Sequence, residues 1–527
     1  MLRYGLTKIP KQAKYSSKKK VIKYASTGLL LLCTGYILSH PKERKSLRSK
    51  IASIFRFGRS LKIGLTISID YWVGPLMGYT ESEIHQRAAD RIVQGCLQNG
   101  GIYIKLGQGL AAVNHILPKE YISSLTILQD KCLLRGKNEL DEIFLQEFGK
   151  KPEEVFHKID EQPIAAASLA QVYKGETIDG KDVAIKVQYI DLNDRFYSDM
   201  KTLHYLLRII TIIHPKFNLH WVVDELFETL AQELNFETEG KNAERCAENL
   251  KKHDYVYVPK VYWDLSTKRI LTIEWIDGIK INNLKELKKQ GLSVDDVDTK
   301  LITLMAEQIF HTGFVHGDPH PGNIFVRKGN DNKAQIVLLD HGLYEYLPEK
   351  TRISLCNYWE SMVLKNEHSL STYGKELNVD DPILLAEMLT QAPFSLSSFL
   401  RIETGKGAQE HMVQQAQEHF DKIAATLRTM PKTMILVIRN LNTIRAIMQD
   451  HKSTVDRYRI MAKIAARGKY KVANPSVGNY IKGTMYKAKF EIHLWLYSFI
   501  QWLLKTYLNI LWLMGYDIKH VVEILAS

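Results

Sequence analysis

Apolar positions recur every three to four residues through the stretch that follows residue 80, at Ile84, Ala88, Ile92 and Cys96. That is the period of a helix with one buried face. Gly100-Gly101 interrupts it, and a second helix follows with Ile102, Ile104 and Leu106. From Glu161 to Gln188 the period shifts to two, with AAASLAQVYKGET and KDVAIKVQY flanking Asp179-Gly180. Alternation around an Asp-Gly pair predicts a β-hairpin. Residues 195–250 return to a helical period. YVPKVYWD and RILTIEWIDG then predict another strand pair, and a polar segment leads into a long helix ahead of His316. Beyond Leu347 nearly everything reads as helix, without internal repeats or low-complexity tracts. Helices, then strands, then helices predict an α+β fold.

The two ends carry different patterns. Tyr24–Leu38, YASTGLLLLCTGYIL, is fifteen residues without a charge. As a helix it spans roughly 22 Å against a hydrocarbon core of roughly 30 Å. Lys23 on one side and Lys42, Arg44 and Lys45 on the other could snorkel to close that gap. Residues 41–80 read as a basic juxtamembrane linker with a short amphipathic stretch. Lys489–Ile518 is rich in Trp and Leu, but Glu491, His493, Lys505 and Asp517 break it up. A helix packed on its own domain is the expectation there, with a membrane-interface helix as the alternative.

Charge changes the picture once it is located. The net charge of +13 suggests a nucleic-acid binder until the basic residues are placed. Residues 1–62 hold 16 Lys and Arg against one acid, Glu43, which leaves 55 basic and 57 acidic residues for the rest. The body is therefore near neutral and gives no support to a nucleic-acid groove. Met1–Lys23 contains eight basic residues and no acid, interspersed with Ser, Thr and Tyr, the composition of a mitochondrial presequence. A secretory signal competes on apolar length, although Thr34-Gly35-Tyr36 makes a poor cleavage site. The five cysteines are scattered without a C-x-x-C pair, which disfavours a disulfide framework or zinc site and predicts buried thiols.

Candidate chemistry sits in three short runs. HGDPHPGN, His316 to Asn323, places Asp318 and Asn323 five residues apart, the spacing of the protein-kinase catalytic loop. Such a turn presents the Asp to an attacking nucleophile and the Asn to a phosphate-bound metal. Seventeen residues after Asn323, Asp340-His341-Gly342 follows an apolar strand where a kinase carries Asp-Phe-Gly. Upstream, Val183–Lys186 matches the strand V-A-I-K that carries the phosphate-pairing lysine. Three pieces in kinase order predict a site for ATP or ADP with Mg2+.

Two departures narrow the reading. The loop that should read G-x-G-x-x-G opens instead with Ala165-Ala166-Ala167-Ser168, which restricts the backbone and keeps it farther from the phosphates. In GGIYIKLGQ, Lys105 and Gln108 are three apart and share one helix face. With VAIKVQ, HGDPHPGN and the DHG run, these features resemble the aarF-domain-containing, UbiB-like atypical kinases over about residues 80–470. The DHGLY variant and the basic N-terminus look most like the member-one branch.

The resemblance implies a bilobal kinase-like fold: a helical K-x-G-Q extension at 81–150, an N-lobe at 151–280 and a largely helical C-lobe at 281–475. A targeting segment and short anchor at 1–40, the linker at 41–80 and aromatic-rich helices at 476–527 would flank it. It implies that Lys186 meets the α- and β-phosphates with Glu239 as partner, and that Lys105 and Gln108 fold over the nucleotide beside the Ala-rich loop. Asp318 would be the catalytic aspartate, and Asn323 and Asp340 the metal ligands. Glu233 matches the first acid of the family's E-x-D, while Asn235 stands where the second is expected. His320 replaces the catalytic-loop lysine of ordinary kinases.

The segment after Asp340 carries a further restriction. Pro348-Glu349-Lys350 opens a helix soon after Gly342 and no A-P-E follows, so little chain remains for a peptide-docking groove. The expected function is an atypical kinase or ATPase associated with the mitochondrial inner membrane. It would act in lipid or quinone handling and cristae organisation, with membrane lipid, a small lipid-like substrate or membrane-organising proteins as partners. The rival class is a pseudokinase scaffold that uses nucleotide as a switch.

Overall fold

The alternation that sequence places in VAIK is a physical two-sidedness in the computed structural model, which describes residues 39–112, 118–130, 137–166, 169–213, 227, 230–390, 394, 426, 429–470 and 477–514. Helix α1 (Pro41–Val73) is followed by α2 (Glu81–Asn99), α3 (Ile102–Ala112) and α4 (Lys137–Phe148). Strands β1 (Lys158–Ile159), β2 (Ala165–Ala166), β3 (Ala170–Glu176) and β4 (Asp182–Gln188) come next, then α5 (Leu192–Ile213) and α6 (Phe236–Leu250). After β5 (Val256–Tyr257), β6 (Ile270–Glu274) and β7 (Ile279–Lys280), helix α7 (Val294–Ala306) leads through a π-turn at Glu307–Thr312 into β8 (Phe314–His316). Strands β9 (Ile324–Lys328), β10 (Ala334–Leu338) and β11 (Tyr344–Tyr346) precede α8 (Glu349–Val363), α9 (Lys432–His451), α10 (Arg457–Gly468) and α11 (Val477–Leu513).

Two compact units result, one built on α1 and α5, the other from residues 77–190 and from 224 onward. The second unit holds every candidate site residue. Its first sheet runs β1-β3-β4-β6, with β2 on the free part of β3. Successive strand residues face opposite sides, so Val183, Ile185 and Val187 of β4 enter a core with Leu140, Ile143, Phe144 and Phe156. Lys186 is thereby placed on the other side, in a cleft.

The remaining strands build the floor of that cleft. A four-stranded sheet runs β5-β10-β9-β7, and β8 pairs with β11 so that His316 opposes Tyr344. Gly317 N–H continues the pairing to Leu343 C=O at 2.9 Å. The loops that carry Asp318 and Asp340 are stitched together by this short ladder. Beneath it α7, α8, α9 and α10 bury Leu301, Met305, Phe310, Trp359, Val437 and Ala465 in one large core. Arg352 is buried there too and donates to the carbonyls of Phe310 and Gly468, both at 2.7 Å.

Several expectations need correction. Residues 41–73 form one continuous 33-residue helix, where the pattern suggested a linker with a short amphipathic stretch. YVPKVYWD and RILTIEWIDG meet only around Val261 and Ile273, because the N–H groups that would extend the ladder are taken by side chains: Lys260 N–H donates to Glu274 Oε2 at 3.3 Å and Thr272 N–H to Ser266 Oγ at 3.0 Å. The partner β6 gains along its length is β4. In α11 Phe490, Leu494 and Leu508 are buried, yet Trp495, Phe499, Trp502 and Leu503 remain exposed. Among the described residues no helix is long and apolar enough to cross a membrane, and Cys96, Cys246 and Cys356 are buried free thiols. Met1–Lys23 and Tyr24–Leu38 lie outside the described residues.

Candidate active site

Lys186, Asp318, Asn323 and Asp340 converge on one open cleft, with Lys105, Glu233 and Glu239 in the same wall. Lys186 Nζ lies 2.7 and 2.9 Å from the two Glu239 oxygens and 3.5 Å from Asp340 Oδ2. Its ammonium also stands over the Phe236 ring, 5.1 Å from the centroid. Burial works against the Lys186 charge, but Asp340 and then Glu239 outweigh it and hold the amine charged. Burial pushes the Glu239 carboxyl up to about 7, against the opposing pull of Lys186.

Glu239 reaches Lys186 because α6 starts in the right place. Asn235 caps that helix, its side chain accepting the Glu237 N–H at 3.1 Å. The residue that stands where the family has an acid therefore fixes the helix start. The cation on α3 is met by Glu233 instead, with Lys105 Nζ at 2.9 Å from Glu233 Oε2. Burial opposes the Lys105 charge, and Glu233 and Asp318 restore it, leaving its pKa raised.

Asp318 has a partner that no motif announced. Arg439, on α9, places Nη2 3.1 Å from Asp318 Oδ2. Burial would raise the Asp318 carboxyl, yet Arg439 and then Lys105 hold it below the ordinary carboxylate value. Arg439 follows Asp318 by 121 residues on a helix whose local pattern is that of a packing helix, so sequence spacing carries no signal for it. The same helix supplies Asn440, which donates to His316 C=O at 2.7 Å and fixes the start of the loop. His316 in turn accepts the Asp318 N–H at 3.0 Å through Nδ1. This is a structural role, matching its 2% exposure.

Asp340 is held from the opposite side. The Gly342 N–H donates to Asp340 Oδ1 at 2.9 Å, and a Cβ at position 342 would sit 3.3 Å from that oxygen. Glycine leaves room there for the carboxylate. Burial raises the Asp340 carboxyl, but Lys186 and the Gly342 amide more than reverse it, so it is strongly acidic. His341 fills a buried slot, its ring nitrogens 3.0 Å from Tyr344 Oη and 3.2 Å from Leu338 C=O.

Other expected residues lie elsewhere. Gln108 does not line the cleft. Its amide is satisfied by Leu128 C=O at 2.9 Å, so it ties α3 to its neighbour rather than reaching a nucleotide. Ala165 and Ala166 pair with Val172 and Gln171 as strand β2, and the cleft wall is made by Leu169 and Ala170 instead. Ala167 and Ser168 lie outside the described residues. His320 caps its own turn, accepting the Gly322 N–H at 3.1 Å.

The donor set fits Mg2+ bound to a nucleotide. Among the described residues no group of three or more His, Cys, Asp or Glu is arranged to hold a metal by itself. Mg2+ asks for one or two hard oxygen ligands and takes the rest from phosphates and water. Asp340 and Asn323 supply those oxygens on the cleft wall. Four carboxylates (Glu233, Glu239, Asp318, Asp340) face three cations (Lys105, Lys186, Arg439), a surplus of negative charge that a divalent ion offsets.

Sequence comparison agrees with this geometry. Residues 127–373 match the model of the ABC1 atypical kinase-like domain. The chain is 31% identical to mouse AarF domain-containing protein kinase 1, over 93% of this chain and 95% of that protein. The chain belongs to the AarF-domain atypical kinase family. Similarity to other members is comparable: 31% to a putative ABC1 protein of Arabidopsis thaliana, over 90% of this chain and 95% of that one. A probable serine/threonine-protein kinase of Dictyostelium discoideum is 38% identical over 87% of this chain and 68% of its own length. Within this AarF-family fold the Lys186–Glu239 pair and the Asp318 and Asp340 loops share one cleft, as a kinase-like nucleotide site requires.

Proposed function

We propose that the chain binds Mg-ATP and acts as an atypical phosphotransferase or ATPase of the mitochondrial membrane, in lipid or quinone handling and membrane organisation. The observation that carries this reading is the pair of bridges at the cleft, Lys105–Glu233 and Arg439–Asp318. They place cations where an incoming protein hydroxyl would have to approach Asp318. With Glu349 already opening α8 soon after Gly342, little chain is left between them to build a peptide platform. A small or lipid-like acceptor, or water, suits that space.

In this reading Lys186, oriented by Glu239, binds phosphate oxygens, while Asp340 and Asn323 orient the metal-bound nucleotide. Bound Mg2+ neutralises charge on the phosphates. Asp318, kept ionised by Arg439, accepts the proton of the attacking hydroxyl or water. The mitochondrial assignment rests on the acid-free basic segment Met1–Lys23.

A second reading is favoured by the same Arg439–Asp318 bridge: a base already paired suits a nucleotide-responsive scaffold. Phosphate release by the purified full chain, with and without phospholipid vesicles, separates the two. Magnesium-dependent release that Asp318→Asn abolishes supports the enzyme. Nucleotide binding with release no faster than in Asp318→Asn supports the scaffold.

A further inference from the structure

Helix α1 carries an apolar face that the fold leaves exposed. Its inner side packs on α5, with Arg56 buried against Asp199 at 2.7 Å and Phe57, Ile63 and Ile67 half-buried. Its outer side shows Leu47, Ile51, Ile54, Leu65, Ile69 and Trp72, each between 41% and 70% exposed. These six are three pairs eighteen residues apart, Leu47 with Leu65, Ile51 with Ile69 and Ile54 with Trp72. Eighteen residues make five helical turns, so all six fall within about 60° of arc along roughly 38 Å of helix. An apolar stripe this long and regular on a folded unit marks an interaction surface.

The charges beside the stripe select its partner. Arg44 and Lys62 lie along one border, eighteen residues apart, and Lys50 lies along the other, all three exposed. Across Pro41–Val73 there are eight Lys and Arg and only two acids, Glu43 and Asp70. Cations bordering an apolar stripe snorkel to phosphate headgroups while the stripe enters the acyl boundary. A second copy of α1 would bring the same cations against one another, and a nucleic acid would leave the stripe uncovered.

We propose that α1 lies in the plane of an anionic phospholipid surface, with Leu47 to Trp72 inserted and Arg44, Lys50 and Lys62 on headgroups. This names the surface by which the membrane association proposed above would act, and it rests on that association. Failure would leave the nucleotide reading standing, because the residues that line the cleft belong to the other unit.

The test uses the full chain with a photoreactive benzoylphenylalanine in place of Leu65, Ile69 or Ala52. Ala52 is exposed on α1 but off the stripe. The protein is irradiated on phosphatidylcholine vesicles with or without about 30% phosphatidylglycerol, and lipid adducts are counted by mass spectrometry. Lipid adducts at positions 65 and 69 should exceed those at 52 about tenfold on the anionic vesicles, and Lys50→Glu with Lys62→Glu should cut them severalfold. Because the probe reads α1 locally, attachment elsewhere in the chain cannot supply this result. Equal labelling at 52 and 65 would overturn the proposal. Adducts mainly to protein, whether a second copy or Tyr24–Leu38 folded back, would overturn it too, as would yields unmoved by charge reversal.

Discussion

Replacing His341 by Phe should remove a specific acid sensitivity from the fold. His341 is 2% exposed, between Tyr344 and Leu338, and burial, aided by His316, pushes its pKa down to about 3 from an ordinary 6.5. Between those values the unfolded chain binds a proton that the folded chain refuses, so stability falls as pH drops below about 6.5 and is fully present above it. At pH 5 the penalty is about 2 kcal/mol, and it grows towards pH 3. Phenylalanine does not titrate. It does give up two hydrogen bonds, an offset of about 1–2 kcal/mol that is the same at every pH. The informative quantity is therefore the slope with pH. Calorimetry at about pH 5, in buffers of different ionisation enthalpy, should show His341→Phe taking up about one proton fewer on unfolding than wild type, and no difference near pH 8. Equal uptake at the acidic pH would mean that His341 is charged inside the fold, and the packing described for the Asp340 loop would be wrong.

Other perturbations follow from the same geometry. Lys105→Ala frees Glu233 from its 2.9 Å bridge and should change ATP and ADP affinity by more than about twofold while exposing autophosphorylation. Affinities within that range, with no phosphate incorporated, would reduce Lys105 to an ordinary surface residue. Gly468→Ala would drive a methyl into Phe310 C=O and set it 2.8 Å from Cys356 Sγ. Overpacking of this kind costs about 1–3 kcal/mol, so a denaturation midpoint equal to wild type would contradict the packing of α10 on the π-turn. Fused to a fluorescent reporter, residues 1–23 should direct it to mitochondria, and secretory staining would refute the targeting assignment.

The parts of the site that were legible in the sequence are those whose chemistry demands fixed spacing. Asp318 and Asn323 share one turn, Asp340 follows a strand, and Lys186 sits in an alternating hairpin strand, so short runs place them. Glu239 needed more, because a helix acid can serve from any turn; only its distance from Asn235 and the family pattern singled it out. Arg439 was invisible: it is brought to Asp318 by the packing of α9 under β8, a tertiary event with no local code. Gln108 was misplaced for a related reason. Sharing a helix face with Lys105 says where its Cα lies, whereas the carbonyl of Leu128 decides where its amide goes. The extent of α1 was missed because its cations and two apolar stripes blur into what reads as a basic linker, and α5 shows which face is inside.

The central claim is that Asp340 and its neighbours form a magnesium–nucleotide site, and binding tests it most directly. Melting of the full chain and of Asp340→Asn should be followed with and without Mg-ATP. The amide keeps the shape of the side chain but loses the charge that a hard cation requires. Wild type should be stabilised by Mg-ATP, whereas Asp340→Asn should gain nothing while melting within a few degrees of wild type when unliganded. Equal stabilisation of both proteins by Mg-ATP would contradict the assignment.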